Sequence, residues 1–216
     1  MELIRRYGDP DARLPVVRSR VKRFLDVALA AAALIIFAPL FLLIGAAVVL
    51  DSGWPALYSQ ERTGYAGKRF RIRKFRTMVR NAEARRSELL ALNEAPYPAF
   101  KIRDDPRVTR VGRLLRKSSA DELPQLWNVL LGDMSLVGPR PLPTMEADCL
   151  DANGQRRLLA RPGITCFWQL GNRHSGPSDF DDWLAKDLAY IESWSVWLDL
   201  VLLARTARAV VQMTGR

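Results

Sequence analysis

One stretch sets the terms for everything else in the chain. Residues 27–50, VALAAAALIIFAPLFLLIGAAVVL, form a run of 24 positions without a charge. A core helix rarely needs so long an apolar run, so a membrane is the default surrounding. As a straight helix it would reach ~36 Å, against a hydrocarbon layer of ~30 Å. Pro39 stands near the middle, where it removes one backbone hydrogen bond and clashes with the carbonyl four residues back. That leaves two arms of about 12 residues, each ~18 Å long and half-way through a bilayer. The flanks are basic on both sides: Arg18, Arg20, Lys22 and Arg23 before the run, Arg62, Lys68, Arg69, Arg71 and Arg73 after it. The positive-inside rule therefore assigns neither side to the cytoplasm. Two readings stand, a kinked spanning helix and a hairpin that enters and leaves by one face. Under the second, the rest of the chain faces the cytoplasm.

Charge narrows the partners. A net charge of +10 and a pI near 10.2 suit an anionic membrane face, a polyphosphate substrate or nucleic acid. Two cysteines, Cys149 and Cys166, give no metal-ligand spacing and fit a disulfide-free cytoplasmic protein. The single histidine, His174, rules out a histidine-cluster metal site and argues against a histidine-based triad. The apolar run is too long for a cleavable signal, and no small-residue cleavage site follows it. Nucleic-acid binding lacks a recognition motif and sits poorly with a hydrophobic anchor.

Three blocks follow from this frame. Residues 1–20 read as a basic arm on the anionic surface, and residues 21–51 as the membrane segment. Lys22, Arg23 and Asp26 mark its aqueous boundary, the two bases as snorkelling anchors. Residues 52–216 read as the remaining domain. Within it, Leu57-Tyr58 and Phe70-Arg71-Ile72-Arg73 predict a β-hairpin turning at Gly64 and Gly67. Its second strand is basic on one face and apolar on the other. Residues 79–95 predict a polar helix, and residues 108–116 a second helix with a wet basic stripe that includes Arg116.

Ser119 three residues before Glu122, with Pro124 just beyond, predicts a capping box that opens a helix. Asp121 and Glu122 then simply complement its dipole. The loop at 132–143 is stiffened by prolines at 139, 141 and 143, which clamp Arg140; an arginine so held suits a bidentate grip on phosphate. Residues 144–160 predict a helix with Arg156 and Arg157 exposed. Arg161-Pro162-Gly163-Ile164-Thr165 is another stiff basic turn, with Cys166 to Leu170 extended and buried beyond it. Asp179, Asp181 and Asp182 cap the next helix. The stretch 196–213 is too interrupted by charge to span; it lies in the headgroup plane or packs on the core.

Several segments, in order and spacing, resemble one family. They are Lys22-Arg23-x-x-Asp26, the run broken at Pro39, Lys74-Phe75-Arg76-Thr77-Met78, Asp105-Pro106-Arg107, Asp121-Glu122-Leu123-Pro124-Gln125-Leu126, Gly138-Pro139-Arg140-Pro141 and Arg161-Pro162-Gly163-Ile164-Thr165. The family is the bacterial monotopic polyprenyl-phosphate phosphoglycosyl transferases, and the match runs from about Lys22 to Val211. The tail Trp194-Ser195-Val196-Trp197-Leu198-Asp199-Leu200 looks most like its hexose-1-phosphate branch. The extra spanning helices of larger members are absent, so the chain looks like a catalytic core. It departs from the usual pattern at Ala38 (serine), Cys166 (glycine) and Asn172 (glycine).

The resemblance implies an α+β, mostly helical fold: a re-entrant membrane helical hairpin plus a small cytoplasmic domain with a short β-hairpin and interfacial amphipathic helices. It implies transfer of a hexose-1-phosphate from a UDP-sugar to polyprenyl phosphate on the cytoplasmic face of the inner membrane, with UMP leaving. Asp121 would be the nucleophile and a ligand of Mg²⁺, and Glu122 the general base. At a helix N-terminus Asp121 would stay ionised. Lys74, Arg76, Arg140 between Pro139 and Pro141, and Arg161 would hold phosphate oxygens, and Arg173 would contact nucleotide or sugar. Anionic lipids, downstream glycosyltransferases and a homodimer are the partners it allows, with no nucleic acid. A basic membrane-anchored scaffold without activity is the competing reading.

Overall fold

The computed structural model describes residues 14–94, 100, 102–166 and 180–212. After a short helix α1 (Pro15–Arg18), the apolar segment forms α2 (Arg20–Ile36) and α3 (Ala38–Ser52), bent by 63°. Pro39 lies in the first turn of α3, where its missing N–H would be unpaired anyway and its fixed φ suits the helix. The break is brief: the Phe37 amide still donates to Ala33 O at 2.9 Å, and Phe37 O accepts from Phe41 N at 2.9 Å. With 17 and 15 residues, the arms outrun the apolar stretch. No single helix among the described residues is long and apolar enough to cross a membrane, whereas the bent pair together is. Phe24, Ile35, Ile36, Leu42, Leu43 and Leu50 stand out from the pair, exposed.

The expected hairpin forms from β1 (Leu57–Thr63) and β2 (Arg69–Phe75), with Leu57 opposite Phe75 and Thr63 opposite Arg69. Its alternation holds: Phe70 and Ile72 are buried, Arg69 and Arg71 exposed. By the same period, Lys74 continues the inward stripe. Further along come α4 (Arg110–Ser118), α5 (Gln125–Leu131), β3 (Ser135–Val137), β4 (Leu142–Pro143), α6 (Thr144–Asp148) and β5 (Gly163–Thr165). The chain closes with α7 (Phe180–Ser193) and α8 (Val196–Val211). β4 adds to the free edge of β1, and β3 pairs in parallel with β5. The main core joins Phe70, Ile72, Val129, Met134, Tyr190 and Leu202. A second cluster, Ile44, Val48, Phe75 and Leu115, ties α3 to the domain. The described residues are thus mostly helical with a small sheet.

Three local expectations change. Residues 84–92 form a 3-10 segment rather than an α-helix. None of its side chains is buried, so no apolar face fixes α geometry. Lys22 and Arg23 do not snorkel. Lys22 is 6 % exposed, with its Nζ 2.6 Å from Asp199 Oδ2 and donating to Val137 O at 3.1 Å. Asp199 also accepts from Tyr190 OH and Trp194 Nε1, so the tail motif is the other half of the Lys22 motif. Arg23 donates to Val129 O and Leu130 O, and Asp26 accepts from Ser135 Oγ at 2.8 Å and Leu136 N at 3.0 Å. The snorkelling expectation assumed water at this boundary; the folded domain covers it instead. Residues 144–160 split into α6 and a 3-10 turn, Gly154–Leu159, which buries Arg157 against Asp187. In α8, Leu202 is buried and Trp197 exposed, so the helix packs one face on the core.

Candidate active site

The elbow that carries Asp121 and Glu122 is set by α4. A Cβ at Gly112 would meet Thr77 O at 2.1 Å, so only glycine allows α4 to lie on that backbone. Thr109 N donates to Thr77 O at 3.0 Å, Thr109 Oγ1 caps Gly112 N at 2.9 Å, and Arg116 Nε donates to Thr77 Oγ1 at 3.0 Å. The helix stops at Ser119, whose φ of 57° is left-handed. A single 3-10 turn, Ala120–Glu122, then leads to α5. The expected capping box is not formed. Ser119 serves as the left-handed end of α4, which takes it out of the extended conformation an N-cap needs.

The two carboxylates of this elbow differ sharply. Burial acts against ionisation of Glu122, but Lys74, Arg140 and a hydrogen bond from Lys74 outweigh it and hold its carboxyl down at about 2. Lys74 Nζ lies 2.6 Å from Glu122 Oε1, and Arg140 Nη2 lies 3.7 Å from the same oxygen. Asp121 has no hydrogen bond or ion pair to its carboxylate among the described residues. Burial pushes it up to about 6, opposed by Lys74 and assisted by Glu122. Burial thus makes Asp121 harder to ionise than a free aspartate, yet at about 6 it is still mostly ionised at neutral pH, as expected.

Arg140 is held by its backbone. Gly138 N donates to Thr165 O at 3.0 Å and Gly163 N to Pro139 O at 2.9 Å, which laces the Gly-Pro-Arg-Pro loop to the Arg-Pro-Gly-Ile-Thr segment. A Cβ on Gly138 would meet Arg161 O at 2.3 Å, and one on Gly163 would meet Gly138 N at 2.1 Å. Arg157 Nη2 donates to Arg140 O at 2.8 Å, while its Nε holds Asp187 Oδ2 at 3.0 Å. The guanidinium of Arg140 is left to face Glu122.

Of the anticipated ligands, Lys74 and Arg140 meet at the Asp-Glu pair. Arg76 does not. It is buried and donates to Ser52 O, Ser52 Oγ and Gly53 O, closing the C-terminus of α3. Arg161 donates to Gly132 O at 3.2 Å and lies over the Tyr65 ring at 5.6 Å, bracing the end of α5. Asp105 and Arg107 form a buried pair, 2.6 Å between Oδ2 and Nη2, that folds their own loop. Arg173, His174 and Asp179 lie outside the described residues. Arg116 was missed as a site residue. Its charge acts on Asp121, and it shares a helix face with Gly112, four residues away, which was the available signal.

Among the described residues no three His, Cys, Asp or Glu side chains gather to hold a metal. Mg²⁺ needs no such cluster when it is shared with substrate phosphates, since one or two carboxylates suffice. Asp121 offers one unpaired carboxylate, whereas Glu122 is occupied by two cations. On that condition the donor set fits the ion.

Fold and site define a class: a small α+β domain fastened to a bent apolar helix pair, with a carboxylate pair among fixed cations. The sequence family described as bacterial sugar transferase matches residues 17–213. The chain belongs to that family. It is 42% identical over 194 residues to the galactosyl transferase CpsE of Streptococcus agalactiae, covering 90% of this chain and 43% of that one. It is 40% identical over 198 residues to the exopolysaccharide production protein ExoY of Rhizobium meliloti, covering 90% and 87%. It is 42% identical over 212 residues to the UDP-glucose:undecaprenyl-phosphate glucose-1-phosphate transferase of Caulobacter vibrioides, covering 95% and 74%. The chain spans under half the length of several relatives, CpsE among them.

Proposed function

We propose that the protein transfers a hexose-1-phosphate from a UDP-sugar to a polyprenyl phosphate, releasing UMP, in the first membrane step of exopolysaccharide, capsule or O-antigen assembly. The observation that carries this reading is the unequal pair: Asp121 unpaired among the described residues, Glu122 clamped by Lys74 and Arg140. The activity for which the Caulobacter relative is named supports the substrates.

An Asp121 Oδ attacks the β-phosphorus of the donor. An Asp–O–P bond forms, the bond from that phosphorus to the bridging oxygen breaks, and UMP departs. A phosphate oxygen of the lipid then attacks the same phosphorus and the Asp–O–P bond breaks, regenerating the carboxylate. Such chemistry asks for positioning and charge neutralisation, which Lys74 and Arg140 supply. Asp121 would hold Mg²⁺, which would supply charge neutralisation for the donor diphosphate. Glu122 is a weak base while both cations hold it. It gains basicity only when Lys74 and Arg140 turn to substrate phosphate. The acceptor needs little help, since a phosphate monoester is mostly dianionic above about pH 6.

The same reading puts α2 and α3 into the inner membrane as a re-entrant pair, with the domain on the cytoplasmic face. Both outer ends of the pair bond to one domain: Lys22 and Asp26 at the start, Asp51 at the end, where its Oδ2 accepts from Val111 N at 3.1 Å. Purified protein with Mg²⁺ and a panel of UDP-sugars should release UMP, in a stoichiometric burst without lipid and continuously with it. Asp121→Asn should abolish both while leaving membrane binding intact. Undiminished turnover in that variant removes the mechanism.

A further inference from the structure

Arg62 is a cation without a carboxylate within ion-pair distance among the described residues. It lies on β1 opposite Phe70, so its side chain shares the inner face of the hairpin with Phe70, Ile72 and Lys74. Its Nη1 donates to Pro141 O at 3.2 Å and its Nη2 to Gln60 Oε1 at 2.6 Å. Its Nε is buried without a partner. Burial lowers the guanidinium to about 10, with the like charge of Arg140 the next cause, ahead of the opposing pull of Glu146 and Glu122. Burial raises the Glu146 carboxyl, with Arg62 and Arg140 pulling the other way.

A structural role accounts for two of these features. Tying β1 to the Pro141 carbonyl explains Nη1, and Gln60 explains Nη2. Neither explains a buried donor left unpaired, nor a second guanidinium, that of Arg140, whose like charge weighs on the first. Both are explained by an anion with several acceptor oxygens. A small crevice lined by Thr63, Gly64, Pro139 and Arg140 adjoins the strand end and the loop that Arg62 ties together, without Arg62 in its lining. We propose that Arg62 is a substrate ligand, gripping with Arg140 a phosphate group of the nucleotide-sugar donor or of the lipid acceptor. This rests on the reading of the site as a sugar-phosphate transferase.

The test uses the detergent-solubilised full chain, with UDP-sugar and polyprenyl phosphate varied in turn. Arg62→Gln should raise one KM by about 10- to 100-fold, the loss expected for charge-assisted contacts, with a smaller change in kcat. A higher donor KM, echoed by weaker product inhibition by UMP, assigns the donor's phosphates. A higher acceptor KM alone assigns the lipid phosphate. Arg62→Lys keeps the charge and most of the stem but loses the fork, and should recover part of the affinity. It decides the matter if the glutamine variant does not fold. A fall in kcat or melting temperature with both KM values within about twofold of wild type makes Arg62 part of the scaffold and overturns the proposal. Wild-type protein that turns over no UDP-sugar overturns the transferase reading, and this inference with it, so the two failures are separable.

Discussion

A buried carboxylate resists ionising unless something nearby answers its charge, and at Asp121 the answers act from a distance. Its carboxyl stands at about 6 instead of 3.8, first because of burial. If the ionised form attacks the donor, the lipid-free burst rate at subsaturating donor should rise tenfold per pH unit below about 6 and level off above it. A profile already flat from pH 4.5 would contradict that assignment. The same shift bears on stability, with a definite sign. The folded state holds the proton more tightly than the unfolded chain, so the cost of ionising Asp121 is absent below about pH 4 and complete above about pH 6. That cost is at most about 3 kcal/mol. Asp121→Asn removes it, so the inactive variant should melt several degrees higher than wild type at pH 7.5 and at nearly the same temperature at pH 4. Melting curves at the two pH values check this; a lower melting temperature for the variant at pH 7.5 would mean the charge is better answered than described here. Little of this was legible in the sequence. The motif announces that Asp121 matters, but its proton affinity depends on how far the elbow is buried. Arg116 escaped notice for a related reason: an arginine on a basic stripe reads as wet until it is seen partly buried on Thr77, where its charge acts on Asp121.

Elements were easier to read where burial and period agree. Alternation along Arg69–Phe75 gave the hairpin and its two faces, and Pro39 gave the bend. Residues 79–95 misled because their spacing has helical character but nothing apolar stands opposite. The motif at Lys22 misled in the other direction. Its charges looked like a membrane boundary and prove to be fasteners between α2, β3 and α8. Lys22→Met leaves Asp199 buried with its countercharge gone, and should cost about 3–5 kcal/mol. Pairing that change with Asp199→Leu removes both charges and should recover a good part of the loss. Chemical denaturation of the single and double variants measures the coupling; additive losses would show that the pair is not the fastener. The Gly-Pro-Arg-Pro loop makes a comparable claim. Gly138→Ala brings a Cβ within 2.3 Å of Arg161 O, so the two segments must part and Arg140 must move with them. Turnover should fall by at least about tenfold, because reacting groups displaced by an ångström lose most of their advantage. Wild-type turnover in that variant would mean Arg140 is not held through its backbone.

For the molecule as a whole, the strongest constraint is that one small domain holds both ends of the apolar pair. At the start of α2, Lys22 and Asp26 reach α8 and β3; at the end of α3, Arg76 takes the carbonyls of Ser52 and Gly53 while Asp51 takes an amide of α4. A straight spanning helix would carry these two ends to opposite faces of a bilayer and would have to break one set of contacts. Those contacts are charge-assisted, buried at Lys22 and Asp26 and partly buried at Arg76, and expensive to leave unpaired in a medium without water. The bend keeps both, and the exposed side chains of Ile35, Ile36, Leu42 and Leu43 lie near its apex, where an apolar surrounding suits them. Sidedness is therefore predicted by the hydrogen bonds of the domain, where flanking charge was silent. Cysteines placed singly at Arg20 and Trp54, with exposed Cys149 replaced by serine, can be labelled with a membrane-impermeant maleimide. Both should react in inside-out vesicles and neither in right-side-out ones. Labelling of the two positions from opposite sides would require one set of fasteners to be open in the membrane. The elbow at Asp121, which β2 and α4 position from the α3 end and α5 from the α2 end, could not then keep the geometry on which transfer depends.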